Sequence, residues 1–155
     1  MELARNLLIE SVCRLRPTPP WHLAPDRSVA EAVALMRHHR VGCLLVCQGE
    51  RLVGIFTERD LMRRVLAAGH SLDAPLGLFM TPDPVTVGLT EPINLVLKNM
   101  EQGGYRHLPV IDTVGRPVGV LSIKRIVHYL AEHFPATIYN LPPDPNVFPL
   151  HAEGA

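Results

Sequence analysis

The sequence predicts an α+β fold made of two tandem β-α-β-β-α units that bury each other. Three observations predict it. Pro20-Trp21-His22-Leu23 falls on Pro84-Val85-Thr86-Val87 at an offset of 64 residues, and residues 28–33, Met36 and residues 41–46 fall on 92–97, Met100 and 105–110 at the same offset. After one extra residue in a hairpin loop, Gly54-Ile55-Phe56-Thr57 matches Gly119-Val120-Leu121-Ser122 at an offset of 65. Within each copy, strand-like apolar runs alternate with stripes at helical spacing, and neither copy has a face that can be left bare.

Bulk composition narrows the function classes. At 155 residues the chain has room for a shared core but not for a catalytic domain beside the repeat. Lys+Arg 15 balances Asp+Glu 15, so no net field holds nucleic acid, and binding to it is not expected. A hydrophobic content of 47% with 5% aromatic residues suits an aliphatic core. No apolar run reaches membrane length, and Met1-Glu2 lacks the basic start of a signal peptide, so the expected location is cytoplasmic. Three cysteines make a disulfide framework unfavourable; Cys43 and Cys47 are expected as buried thiols on one strand, too far apart to bond.

Taken in order, residues 1–16 form an N-terminal segment with a weak stripe of Leu3, Leu7, Leu8 and Val12. Residues 17–73 are the first unit, 74–134 the second, and 135–155 a proline-rich tail unable to build a core. Trp21-His22-Leu23 is the first unit's opening strand, with Trp21 read as core filling or as cover for a base. Ser28 with Glu31 reads as a capping box for a helix whose buried stripe is Val29, Ala32, Val33 and Met36. His38, His39 and Arg40 close that helix, where positive charge suits the dipole; the two histidines diverge, so no metal site is expected. Residues 43–47 and 52–56 make a hairpin around Gln48-Gly49-Glu50, and a helix follows through Leu61, Met62, Val65 and Leu66 to Gly69. Residues 70–78 read as a linker. In the second unit Pro92 opens a helix with the stripe Ile93, Val96, Leu97 and Met100, which Gly103-Gly104 stop. The Leu108-Pro109-Val110 strand returns through Gly115-Arg116-Pro117, and a last helix carries Ile126, Val127, Leu130 and Phe134.

The chemistry-bearing stretch is Gly54-Ile55-Phe56-Thr57-Glu58-Arg59-Asp60, where a strand ends and a helix begins. A helix start presents free N–H groups and a positive dipole end, which suits phosphate; a carboxylate beside it accepts from ribose hydroxyls. Thr-x-x-Asp at a helix start is equally a capping box that satisfies only its own helix. No Ser/His/Asp order, paired-carboxylate cleft or metal-ligand spacing points to catalysis, so no catalytic residue is assigned.

Paired units of this length, with Met80-Thr81, His107-Leu108-Pro109-Val110-Ile111-Asp112 and two Gly-apolar-apolar-Thr/Ser turns, resemble the cystathionine-β-synthase (CBS) domain pair, or Bateman module, over residues 12–134. The resemblance implies pseudo-twofold packing and a regulatory role. It implies an adenosine ligand in the cleft between repeats: AMP, ADP or ATP foremost, S-adenosylmethionine or NADH as alternatives. It also implies a homodimer and a regulated protein partner. It places phosphate at Thr57 and Arg59, ribose at Asp60, and adenine at Ile55 and the Trp21-His22 segment. Arg106, His107 and Lys124 reach the same site from the second repeat. A second, degenerate site is expected at Val85, Thr86, Ser122 and Arg125, where Arg125 replaces Asp60 and has no acceptor to offer a ribose. The rival expectation is a scaffold that binds no ligand and acts through protein contact.

Overall fold

A computed structural model describes Arg5 and residues 10–134. The proline-rich tail and Leu3, Leu7 and Leu8 lie outside the described residues. Strand β1 (His22–Leu23), helix α1 (Val29–His39), β2 (Cys43–Gln48), β3 (Arg51–Thr57) and helix α2 (Glu58–Asp60, continuing through Leu61–Leu66) make the first copy. A short strand β4 (Thr81–Pro82) precedes the second copy: β5 (Val87–Gly88), α3 (Ile93–Gly103), β6 (His107–Ile111), β7 (Pro117–Ser122) and α4 (Ile123–His133). The strands form two sheets, β1-β2-β3-β4 and β5-β6-β7. In each, the opening strand runs parallel to the second, which pairs antiparallel with the third. This is the α+β pair of repeats that the register predicts.

The chain crosses between the copies. β4, which leads into the second copy, pairs antiparallel with β3 of the first. Thr18, which leads into the first copy, pairs with Val120 of β7 through two backbone bonds of 2.9 Å. The glycines of the two motifs make room for this. A Cβ on Gly54 would collide with the Met80 side chain and lie 3.0 Å from the Thr81 carbonyl; one on Gly119 would lie 2.8 Å from Pro17 Cβ and 3.0 Å from the Thr18 carbonyl. A helix start leaves four N–H groups without intrahelical partners. Ile93 N–H donates to Glu10 O and Val29 N–H to Ala74 O, so the crossing segments supply acceptors there too.

Each core is therefore closed by residues from beyond its own repeat. Val12 and Leu15, on a 3-10 turn, join Val87, Ile93, Val96, Met100, Leu108, Leu121 and Ile126. Leu76 and Phe79 join Val29, Ala32, Met36, Leu44, Val46 and Phe56. The stretch read as a linker is thus built into the first core, with Leu76 fully buried. Between the sheets, Cys43, Leu45, Cys47 and Ile55 meet Val120. β2 is covered on both faces, which is why it reads as an unbroken apolar run.

Two local expectations need correction. Ser28 does accept from the Glu31 N–H at 3.1 Å, but the Glu31 carboxylate pairs with Arg27 instead of closing the box. The helix after Asp60 is not regular: residues 61–66 open into a π-helical turn, with the N–H groups of Ala67 and His70 donating to Met62 O and Val65 O, five residues back.

The three cysteines are free thiols. Burial pushes the Cys43 thiol up to about 12, with the Glu58 carboxylate adding to the shift, and burial also raises Cys47. At pH 8 only the exposed Cys13 should react with a thiol reagent, one equivalent per chain, with Cys43 and Cys47 following on denaturation. Gly54→Ala should lower stability by about 1–3 kcal/mol through overpacking against Met80 and Thr81, read from denaturant midpoints.

Candidate functional site

The end of β3, the start of α2, residues 81–85 and residues 103–108 line a cleft of about 720 Å³. Thr57 is the N-cap of α2, its backbone extended (φ −117°, ψ 166°). Its Oγ1 accepts from the Asp60 N–H at 3.2 Å, while Asp60 Oδ2 accepts from the Thr57 N–H at 3.0 Å and its hydroxyl at 3.1 Å. The capping box is formed in full, but it engages only Oδ2. Oδ1 of the buried Asp60 meets Arg64 Nε at 3.5 Å, too long for a strong hydrogen bond, and keeps lone pairs to offer.

Charges around the cleft are mixed: Arg59, Arg63, Arg64 and Arg106 against Glu58, Asp60 and Asp83. Arg64 is committed, its guanidinium donating to the carbonyls of Phe79 (3.3 Å) and Met80 (3.1 Å). Among the described residues Arg59, Arg63 and Arg106 are in no salt bridge, which leaves three guanidinium groups to meet an anion. His107 is half-buried beside Glu58, the bare Gly42 between them: a Cβ there would lie 3.4 Å from His107 Nε2 and 3.6 Å from Glu58 Cδ. Burial holds the imidazole below its ordinary value of 6.5, Glu58 opposing and Arg106 assisting.

Of the residues expected at the first site, Ile55, Thr57, Arg59, Asp60, Arg106 and His107 come together here. Trp21, His22 and Lys124 do not line the cleft. Trp21 stacks on His39 with ring centroids 3.6 Å apart and planes 8° from parallel; His22 and Lys124 are exposed. Val85, expected at the second site, lines the first; Thr86 follows it, half-buried. The crossing is the physical reason: residues 81–85 precede the second copy in sequence but run along the first copy's sheet. Thr81, Pro84, Val85, Tyr105, Met62 and Arg63 went unassigned to this site in the sequence, because the offset shows which segments correspond but not which copy each one joins.

The counterpart residues in the second copy do different work. Ser122 caps α4, accepting from the Arg125 N–H at 3.1 Å. Arg125 Nε donates to the carbonyls of Leu15 (3.2 Å) and Arg16 (2.9 Å). Those carbonyls are the counterparts, 64 residues earlier, of the pair that Arg64 holds. Arg125 thus faces a separate cleft of about 490 Å³. Among the described residues no three His, Cys, Asp or Glu side chains gather as a metal site, and no helix is long and apolar enough to cross a membrane.

The family model of the CBS domain matches twice, over residues 12–67 and 76–132. The chain belongs to the CBS domain family. This CBS domain pair is 32% identical over 122 residues to an uncharacterised 17.7 kDa protein of Acidianus ambivalens, spanning 78% of this chain and 73% of that protein. It is 33% identical over 107 residues to CBSCBSPB3 of Arabidopsis thaliana, covering 68% of this chain but 19% of that one. Among solved structures it is similar to the CBS domain protein PAE2072 of Pyrobaculum aerophilum, complexed with AMP, at 28% identity, TM-score 0.72, covering 79% of this chain and 97% of that one. It is similar also to the CBS domain pair of MJ0100, in complex with 5′-methylthioadenosine and S-adenosyl-L-methionine, at 25% identity and TM-score 0.73, covering 80% and 98%. CBS domain pairs are in general regulatory modules.

A half-buried histidine with a lowered value disfavours its proton in the folded state, so the unfolded chain binds more protons just below pH 6.5 and stability falls as pH drops through that window. His107→Asn should flatten this loss, seen as a smaller drop in Tm between pH 7.5 and pH 5.5 than in the unmodified protein.

Proposed function

We propose that this CBS domain pair is a sensor that takes one adenosine-containing ligand in the Thr57–Asp60 cleft and reports it to a protein partner by a change of shape. The observation that carries the reading is Oδ1 of Asp60 at the start of α2, outside the capping box and held only by a long 3.5 Å ion pair with Arg64, which leaves it an acceptor for the ribose hydroxyls. The α2 start and Arg59, Arg63 and Arg106 supply donors for phosphate, favouring AMP, ADP or ATP over ligands without one. The ligands named for PAE2072 and MJ0100 are of the same chemical class. S-Adenosylmethionine and NADH are the alternatives. The protein carries out no reaction of its own; three unpaired thiols support a reducing, cytoplasmic setting.

A second copy is proposed to pack on α2 and α4. Met62 (63% exposed), Leu66 (55%), Ile123 (41%) and Val127 (56%) present apolar surface there, and Met62 and Val127 are repeat counterparts. A second reading, a scaffold that binds no ligand, rests on the capping box, in which Thr57 and Asp60 serve each other.

Calorimetric titration with AMP, ADP, ATP, S-adenosylmethionine and NADH tests both. One site per chain for a phosphate-bearing ligand is expected, abolished by Asp60→Ala and retained by Arg125→Ala. The cap lost in Asp60→Ala costs only about 1 kcal/mol of stability. Silence from all five ligands would favour the scaffold. Met62→Glu with Val127→Glu should convert a dimer to a monomer in analytical ultracentrifugation.

A further inference from the structure

The Trp21–His39 stack lies at a position that the repeat makes interpretable. At an offset of 64, Trp21 corresponds to Val85, His39 to Gly103, and Arg40 to Gly104. The last pair confirms the register in three dimensions, since both are left-handed helix caps (φ 54° and 68°). Val85, Gly103 and Gly104 all line the Thr57–Asp60 cleft, together with Tyr105. Trp21 and His39 line neither cleft described above. In the first copy's counterpart of this wall, two flat rings lie face to face at the spacing of stacked bases. At the Thr57–Asp60 cleft Val85 stands in place of the indole and the hydrogen of Gly103 in place of the imidazole. The Tyr105 ring fills in against bare Gly103, where any Cβ would collide with it, and stays 36% exposed.

We propose that the Trp21–His39 stack is a built-in occupant of the base slot that would serve Ser122 and Arg125, and that the open counterpart, between Val85 and the Tyr105 ring, is where the Thr57–Asp60 cleft stacks its purine. This inference rests on the ligand reading above and deepens it: Tyr105 becomes a binding residue for the base, and the stack keeps the chain to one site. An aromatic face with an aliphatic side chain opposite is the arrangement that holds a planar heterocycle without needing hydrogen-bond readout.

AMP titration of the unmodified chain and four variants tests it. Tyr105→Phe should keep the affinity of the unmodified chain, while Tyr105→Leu, similar in bulk but without a ring, should lose about tenfold or more, the scale of one base–aromatic stack. Arg125→Asp alone should still bind one AMP, because the stack remains. Trp21→Val/His39→Gly/Arg125→Asp, which writes the residues of the Thr57–Asp60 cleft into its counterpart, should bind two. Equal affinities for the Phe and Leu variants, two sites in Arg125→Asp, or one site in the triple variant would each overturn the inference while leaving the one-site reading intact. No uptake by any of the five would overturn both.

Discussion

The exchange of strands between the copies is the constraint on which everything else rests. A β-strand at a sheet edge leaves a row of backbone groups unpaired, and here each copy's third strand is paired by the segment that introduces the other. That pairing requires the backbone to approach β3 and β7 more closely than a side chain allows, and Gly54 and Gly119 sit where Met80–Thr81 and Pro17–Thr18 pass. The same segments carry the apolar residues that close each core and the carbonyls that satisfy helix starts. Pairing, burial and capping are one event, so the copies fold as a unit.

The cleft follows from this crossing. Because residues 81–85 are drawn onto the first sheet, they form a wall opposite α2, and the end of α3 with the start of β6 forms another. In both copies a guanidinium ties down the carbonyls just before the crossing strand, but from different helix positions: Arg64 in one, Arg125 in the other. Where Arg64 does this work, the position one turn earlier is free to carry a carboxylate. Where Arg125 does it, that position is spent.

Much of this was legible in the chain. The register of 64 and 65 residues announced the repeat, its element order and the cap at Thr57, because periodicity and capping are local properties. What escaped was the partner of each segment. Trp21 was expected at the first site and lies outside its cleft, while Val85, expected at the second, lines it, because pairing of a two-residue strand leaves no pattern in sequence. Lys124 was expected in the cleft and is exposed on α4 outside it. The π-helical turn at residues 61–66 escaped too, since its apolar spacing differs little from that of an α-helix over six residues.

The offset alignment also bears on how such a molecule acquires unequal halves. Two identical single-repeat chains exchanging strands would close the same architecture around a true twofold axis, and every substitution would then appear in both clefts. Joining the copies in one polypeptide removes that obligation. Asp60 and Arg125, Gly103 and His39, Val85 and Trp21 are pairs that only a fused chain can hold apart. Covalent linkage here gives the molecule a direction: each pocket can change without its twin, so a carboxylate stands at one helix start while the guanidinium at the other holds the frame.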